Sequence, residues 1–367
     1  MADLTRGFTP EDLRAAVAAG IVTEAQAASV AALADDRAGK CAAMPTDDEP
    51  FEFFRGFSEI FVSIGLIILL VGISAFMTLF GGFLALTLVP LLCAAIAWWW
   101  AGYFTLKRRM NLPSMVLASA FGGGIYLAAM TFLVQPSLPL RAAVVISFSV
   151  AALGMALWYR RFRLPFAAFI LGLFVLGAVY TLTASLDALN GFRSGDVPWL
   201  GGLFDLGNSP HFALATLGFG TAAFLAGMWF DTRDPYRLGR HAATAFWLHL
   251  LAAPALVNTV ALTLYNVGGT AGIASLCVTL GIITLLALII DRRSFLTAAI
   301  SYIALVISWV VQGNGGHDFG SWTLTLIVLG CFITALGTWW VPLRAGVMRV
   351  LPDFPGKSRL PPYGSTE

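Results

Sequence analysis

The sequence predicts an all-α integral membrane protein: about ten transmembrane helices behind a small N-terminal helical hairpin. Three observations carry this. The first is composition: of 367 residues, 58% are hydrophobic and only 11% charged, with a mean hydropathy of +0.82. A soluble domain carries about 25% charged residues, so this chain lacks the polar side chains to cover a water-facing surface. The second is the length of its uncharged runs. The third is the placement of its basic residues.

A spanning helix takes about 20 mostly apolar residues. Residues 60–106 contain no Asp, Glu, Lys or Arg, and Gly81-Gly82 divide them into spans near 58–80 and 83–105. Single spans follow near 113–133, 142–159, 164–186 and 212–230. The long run 242–290 needs two helices, parted at Asn266-Val267-Gly268-Gly269, and 294–316 and 319–343 complete the set. Basic residues concentrate in alternate loops, as the positive-inside rule requires. Of 22 Lys and Arg, only Arg141 and Arg193 fall in the opposite set. Both termini are therefore expected in the cytoplasm. The first 50 residues lack the basic-then-apolar order of a secretory signal. The excess of Arg over Lys, with abundant Ala, suggests a GC-rich bacterium and hence its plasma (inner) membrane.

Residues 1–36 form the expected hairpin. Thr9 before Pro10 marks a helix start, Phe8 and Leu13 have hydrophobic-staple spacing, and Gly20 suits a left-handed C′ position. Thr23-Glu24-Ala25-Gln26 is a capping box opening a second helix. Two short helices bury little alone, so the head is expected to pack on its own loops, on a second copy or on another protein. Residues 37–56, acidic at Asp47-Asp48-Glu49, read as a linker, and Phe51, Phe53, Phe54 and Phe57, next to Arg55, suit an interfacial anchor. The membrane domain is expected over 57–343 and a cytoplasmic tail over 344–367. The phrase Gly20-Ile21-Val22-Thr23-Glu24-Ala25-Gln26-Ala27, followed by a polar linker and many spans, resembles the bacterial membrane proteins called domain of unknown function 2157. That resemblance covers roughly the first 150 residues. It implies a helical head before hydrophobic helices and no catalytic residue.

Three expected inside turns share R-R-x-x-L: Arg108 to Leu112, Arg160 to Leu164 and Arg292 to Leu296. A short basic turn before a new helix explains them, and so does duplication of a hairpin. Ten spans also divide as a 5+5 inverted repeat, which pairs Pro90 with Pro254 in corresponding helices. Unrelated prolines, common in membrane helices, read equally well.

Polar groups inside the membrane are costly and therefore candidate sites. His249 is the ionisable group placed well inside a span, and Pro254 and Asn258 follow it. Pro254, Pro90, His249 and Asn258 form one candidate intramembrane site. A histidine bonded to a backbone carbonyl is the plainer alternative. Glu59 is expected at a span entrance, reaching water. A second candidate is the extracytoplasmic cluster Asp187, Asn190, Asp205, His211, His317 and Asp318, which ordinary solvated loops would equally resemble. Gly122-Gly123-Gly124 point to close helix packing. The four cysteines read as buried small hydrophobes, with no metal spacing and no cofactor motif. The head is not basic enough for nucleic acid. The leading expectation is a non-enzymatic, transporter-like protein handling a small solute. The alternative is a membrane scaffold or sensor whose residues 4–36 recruit a partner.

Overall fold

In the computed structural model, which describes residues 10–22, 26, 56–134, 138–185, 202–234, 240–312 and 319–361, every described regular element is a helix. The chain divides into two compact units, Met1–Asp48 and Glu49–Glu367. In the first, α1 (Pro10–Ala18) begins at its proline. It ends in a Schellman motif: Gly20, at φ +67°, donates its N–H to Val17 O, and Ile21 donates to Ala16 O. The capping box and the linker lie outside the described residues, apart from helical Gln26 and Gly56.

The second unit begins with α2 (Phe57–Phe80) and α3 (Gly82–Ala101), which runs on into a π-helical turn, Gly102–Lys107. Then come α4 (Asn111–Leu133), α5 (Leu140–Phe162), α6 (Pro165–Thr183) and α7 (Pro210–Asp231). The rest comprises α8 (Arg240–Val267), α9 (Gly269–Ile290), α10 (Ser294–Gln312), α11 (Phe319–Thr338) and α12 (Trp340–Val350). The breaks expected at Gly81-Gly82 and Gly268-Gly269 are where helices end, and Gly82, Gly268 and Gly269 all take positive φ. Eight described helices, α2 to α9, are long and apolar enough to cross a membrane. The bent pair Leu326–Thr338 and Trp340–Val350 would make a ninth. Leu79, Leu153 and Trp99 are 78%, 72% and 75% exposed, which is tolerable only against hydrocarbon.

Hydrogen bonds between helices put the starts of α2 and α4 at one end of the bundle, and the start of α5 beside the end of α6. At the basic end, Glu59 accepts the N–H groups of Asn111 and Leu112, both at 3.1 Å. Glu59 is 5% exposed, so it does not reach water as expected; it satisfies the orphan donors that open α4. At the opposite end, Arg141 Nη2 donates to Ala184 O at 2.6 Å, closing α6.

Two large apolar cores result among the described residues, with smaller clusters around Val89 and around Phe212. The first packs α2 to α6 around Trp158, Leu117 and Met155. The second packs α7 to α10 and α12 around Leu276, Val257 and Trp340. They meet along α6 and α8, where Trp247 lies 4.7 Å from the ring of Phe166 and 5.1 Å from that of Phe169. Fully buried alanines such as Ala97, Ala118, Ala167, Ala252 and Ala261 let the backbones approach.

Pro90 shows how a proline is absorbed. It cannot donate to Leu86 O, one turn back. Thr131 Oγ1 of α4 stands 3.2 Å from that carbonyl, which shares the hydroxyl's single proton with Leu127 O at 2.9 Å and Ala128 O at 3.1 Å, both in α4, and Thr87 meets Thr131 at 3.0 Å. Gly124 makes the approach feasible, because a Cβ there would stand 2.5 Å from Pro90 O and 3.1 Å from Ala94 Cβ.

The last expected span differs from its forecast. Continuing α11 through Pro342 would sacrifice the hydrogen bond to Thr338 O and drive the ring into that carbonyl. The helix stops at Thr338, and α12 leaves at 66°. The domain boundary expected at 343/344 therefore falls inside α12. Trp340, Arg344 and Met348, four residues apart, form its buried stripe. The cysteines also differ from expectation: Cys93 is buried, whereas Cys277 and Cys331 are exposed.

The R-R-x-x-L turns are not structurally equivalent. Each contains one non-glycine residue at positive φ: Arg109 (53°), Arg163 (49°) and Asp291 (56°). Relative to the shared letters, these are the second arginine, the residue before leucine, and the residue before the motif. This favours short basic turns over a duplicated hairpin.

Gly124→Ala is expected to lower the Tm of the detergent-solubilised chain, at a cost of about 1–3 kcal/mol from overpacking. Gly123→Ala, with nothing within 4 Å of the added methyl, should hold or raise it. Equal effects on a thermal melt would overturn the close-packing account.

Candidate functional site

Helix α7 ends on Asp231, whose negative charge meets the negative end of the helix dipole and whose side chain is 8% exposed. An isolated carboxylate there would be strongly disfavoured. Arg292, fully buried in the turn after α9, grips both of its oxygens: Nε donates to Oδ2 at 3.1 Å and Nη2 to Oδ1. The bidentate fork also fixes the orientation of the pair. Arg292 Nη2 additionally donates to Ala242 O at 3.2 Å, tying in the first turn of α8.

His249, on α8 and fully buried, completes the cluster. Its Nε2–H donates to Asp231 Oδ2 at 2.9 Å; since a carboxylate only accepts, this places a proton on Nε2. Gly227, one turn before Asp231, makes room for the ring, because a Cβ there would stand 2.8 Å from Cε1 and 2.9 Å from Nε2. Phe224 and Phe295 flank the imidazole at 5.5 and 5.9 Å between centroids. The result is one carboxylate shared by a fixed cation and a titratable ring, walled by aromatics. Such a group can hold a proton or the charged end of a small solute.

A second buried cluster lies alongside. Asp291, next to Arg292, accepts Trp340 Nε1–H at 2.7 Å, and Arg344 Nε stands 3.7 Å from the same oxygen. Arg344 donates Nε to Leu288 O at 3.1 Å and Nη2 to Pro361 O at 2.7 Å. The chain beyond α12 thus returns to the basic end, with Leu360 and Pro361 buried there.

The four expected intramembrane residues do not form one site. His249 lies among Asp231, Arg292 and the two phenylalanines. Pro254 is exposed on the surface of α8, which continues unbroken as a helix to Val267. Asn258 is half-buried, and its backbone carbonyl accepts Tyr302 Oη–H at 3.3 Å. Pro90 belongs to the first core, next to Gly124. In the extracytoplasmic set, Asp187, Asn190, His317 and Asp318 lie outside the described residues. Asp205 is buried and organises its own loop: it accepts Gly207 N–H and the side-chain amides of Asn208 and Asn266, each at 2.9 Å. His211 is exposed in the first turn of α7. Among the described residues, no three His, Cys, Asp or Glu side chains are grouped to hold a metal ion.

Sequence reasoning missed Asp231 and Arg292. The uncharged run ends at Phe230, so Asp231 counted as a loop residue, and Arg292 counted as a solvated inside charge. One signal was present: an acid in the last turn of a span opposes the dipole and therefore requires a cation.

Asp231→Asn should cost about 3–5 kcal/mol, because it leaves Arg292 buried without its counter-charge. Asp231→Asn combined with Arg292→Met should recover much of that loss. A double variant as unstable as the sum of the singles, measured by thermal unfolding in detergent, would show that the two side chains act independently. No family model, no curated protein and no solved structure matches this chain.

Proposed function

We propose that the chain is a ten-span protein of the bacterial plasma membrane, with both termini cytoplasmic, that handles a small solute in a transporter-like, non-enzymatic manner. The single observation that carries this reading is the Asp231–His249–Arg292 cluster. A buried ion pair is weak evidence of stabilisation by itself, and ionisable groups within spans commonly mark solute or proton paths. Arg292 supplies a permanent charge, Asp231 a compensating one, and His249 an imidazole that can carry or release a proton. The cluster joins α7, α8 and the α9–α10 turn, so a change in its occupancy would be felt by all of these helices.

The count of ten adds α10 and the α11–α12 pair to the eight helices that meet the length and hydropathy test. The sidedness is supported by the 22 basic residues, all but two of which lie at one end in this topology. The Schellman turn at Gly20 fits the head of domain of unknown function 2157, and we include that kinship in the proposal. The scaffold alternative has no observation of its own that favours it.

Handling a solute requires that water reach the cluster in at least one state. In a chain with its four native cysteines changed to alanine, Phe224→Cys should react with a small charged thiol reagent added from the cytoplasmic side. A change of His249→Gln should alter that rate by several-fold while the protein stays folded. If position 224 does not react from either side in a folded protein, the bundle is closed and the scaffold reading replaces this one. Reporter fusions after Lys107 and Glu367 should both read inside; an outside reading at Glu367 would break the ten-span count.

A further inference from the structure

On the lipid-facing side of the first core, α2, α4 and α6 leave a groove of about 420 Å³, lined by Ile67, Leu70, Leu112, Met115, Ser119 and Phe166 among others. Its depth follows from the register. Glu59 accepts the N–H of Leu112, so these two residues mark one level at the basic end of the bundle. Ile67 lies eight residues further along α2 and Ser119 seven further along α4, about 10–12 Å deeper at 1.5 Å per residue. Phe166 is the second residue of α6 and stands near the same mouth. The groove therefore runs inward from the membrane surface at the basic end. Ile67 is 47% exposed and Ser119 is also exposed, so the groove opens sideways.

The mouth is cationic. Lys107, Arg108 and Arg109 immediately precede the first turn of α4, and Arg163 lies three residues before Phe166; all four are exposed. Arg108 is partly occupied by Tyr103, donating Nε to its hydroxyl at 3.0 Å. The carboxylate at this level, Glu59, is buried and already receives two backbone N–H groups. An apolar slot about 10–12 Å deep beneath arginines that form no ion pair among the described residues matches a ligand with a hydrocarbon chain and an anionic head.

We propose that this groove binds an acyl chain of an anionic phospholipid from the leaflet at the basic end, with its phosphate within reach of Arg109 and Arg163. Hydrophobic contact holds the chain, and the arginines select the headgroup. Each basic residue near the surface favours an anionic over a zwitterionic lipid by several-fold. The site is independent of the Asp231 cluster, which belongs to the other core.

The test uses the full-length chain with p-benzoylphenylalanine in place of Ser119. The protein is reconstituted into nanodiscs of equal parts palmitoyl-oleoyl phosphatidylglycerol and phosphatidylcholine, and photo-adducts are identified by mass spectrometry. Phosphatidylglycerol adducts should exceed phosphatidylcholine adducts by at least about fivefold. Arg109→Asn with Arg163→Asn should bring the ratio near one; asparagine tolerates the positive φ at both positions. Native mass spectrometry of the chain with Ser119 intact provides a second measurement, in which phosphatidylglycerol should be retained by the same factor. Adducts in the bulk lipid ratio, or a preference that survives loss of both arginines, overturn the proposal. So does cross-linking to residues 51–54 or to a second copy, which would make the groove a protein contact.

Discussion

At the end of α7 a carboxylate occupies a position that burial and the helix dipole both disfavour, and Arg292 and His249 are what make it tenable. Much of the second core follows from that requirement. Arg292 must lie in the turn after α9 to reach Asp231, and the second N–H of its Nη2 then fixes the start of α8 through Ala242 O. His249 must lie on the face of α8 that meets α7, and Gly227 must lack a side chain for the ring to fit. Lipid offers no hydrophobic drive to bring apolar helices together. Directional charge contacts of this kind can therefore select one arrangement of α7, α8 and α9 among many of similar packing quality.

The first core solves the same problem with almost no charge. Its helices are registered by backbone groups that need partners: the open N-terminus of α4 taken by Glu59, and the Leu86 carbonyl released by Pro90 and approached by the hydroxyl of Thr131. Where a membrane helix exposes an unsatisfied donor or acceptor, a neighbouring side chain must supply the bond. That supply sets the register as firmly as an ion pair would. Close contact does the rest, with Gly124 against the Pro90 carbonyl and the ring of Trp158 4.8 Å from Phe121 and 4.6 Å from Phe162.

Much of the helix order was legible because uncharged runs and glycine pairs are one-dimensional signals: Gly81-Gly82 and Gly268-Gly269 end helices where the sequence says they should. The turn at Pro342 was legible in principle, since the lost bond to Thr338 is a local consequence, but hydropathy alone runs straight through it. The site was only half legible. His249 stood out because it is ionisable inside an apolar run. Its partners did not, because Asp231 and Arg292 sit at the edges of such runs, where sequence cannot distinguish a solvated charge from one folded inward. Pairing His249 with Pro254 and Asn258 failed for a geometric reason. Neighbours along a helix point to different surroundings, and the partners of His249 come from α7 and from the turn after α9.

The inward-folded arginines also bear on how the charge pattern is read. Arg292 and Arg344 are buried, yet they belong to the set whose one-sided placement supports the sidedness. Their positions follow from two requirements at once: a charge kept on the basic side, and a partner for a buried carboxylate. The three R-R-x-x-L turns show the same double use. Arg108, Arg109, Arg160, Arg161 and Arg163 are exposed, whereas Arg292, at the equivalent letter, is the fixed cation of the buried cluster. One sequence pattern thus serves two physical purposes, and the difference lies in whether the preceding helices present an acid. Asp231 in the last turn of α7 and Asp291 at the end of α9 do so in the second core. In the first, the corresponding acid among the described residues, Glu59, is already taken by backbone N–H groups, and its arginines are exposed.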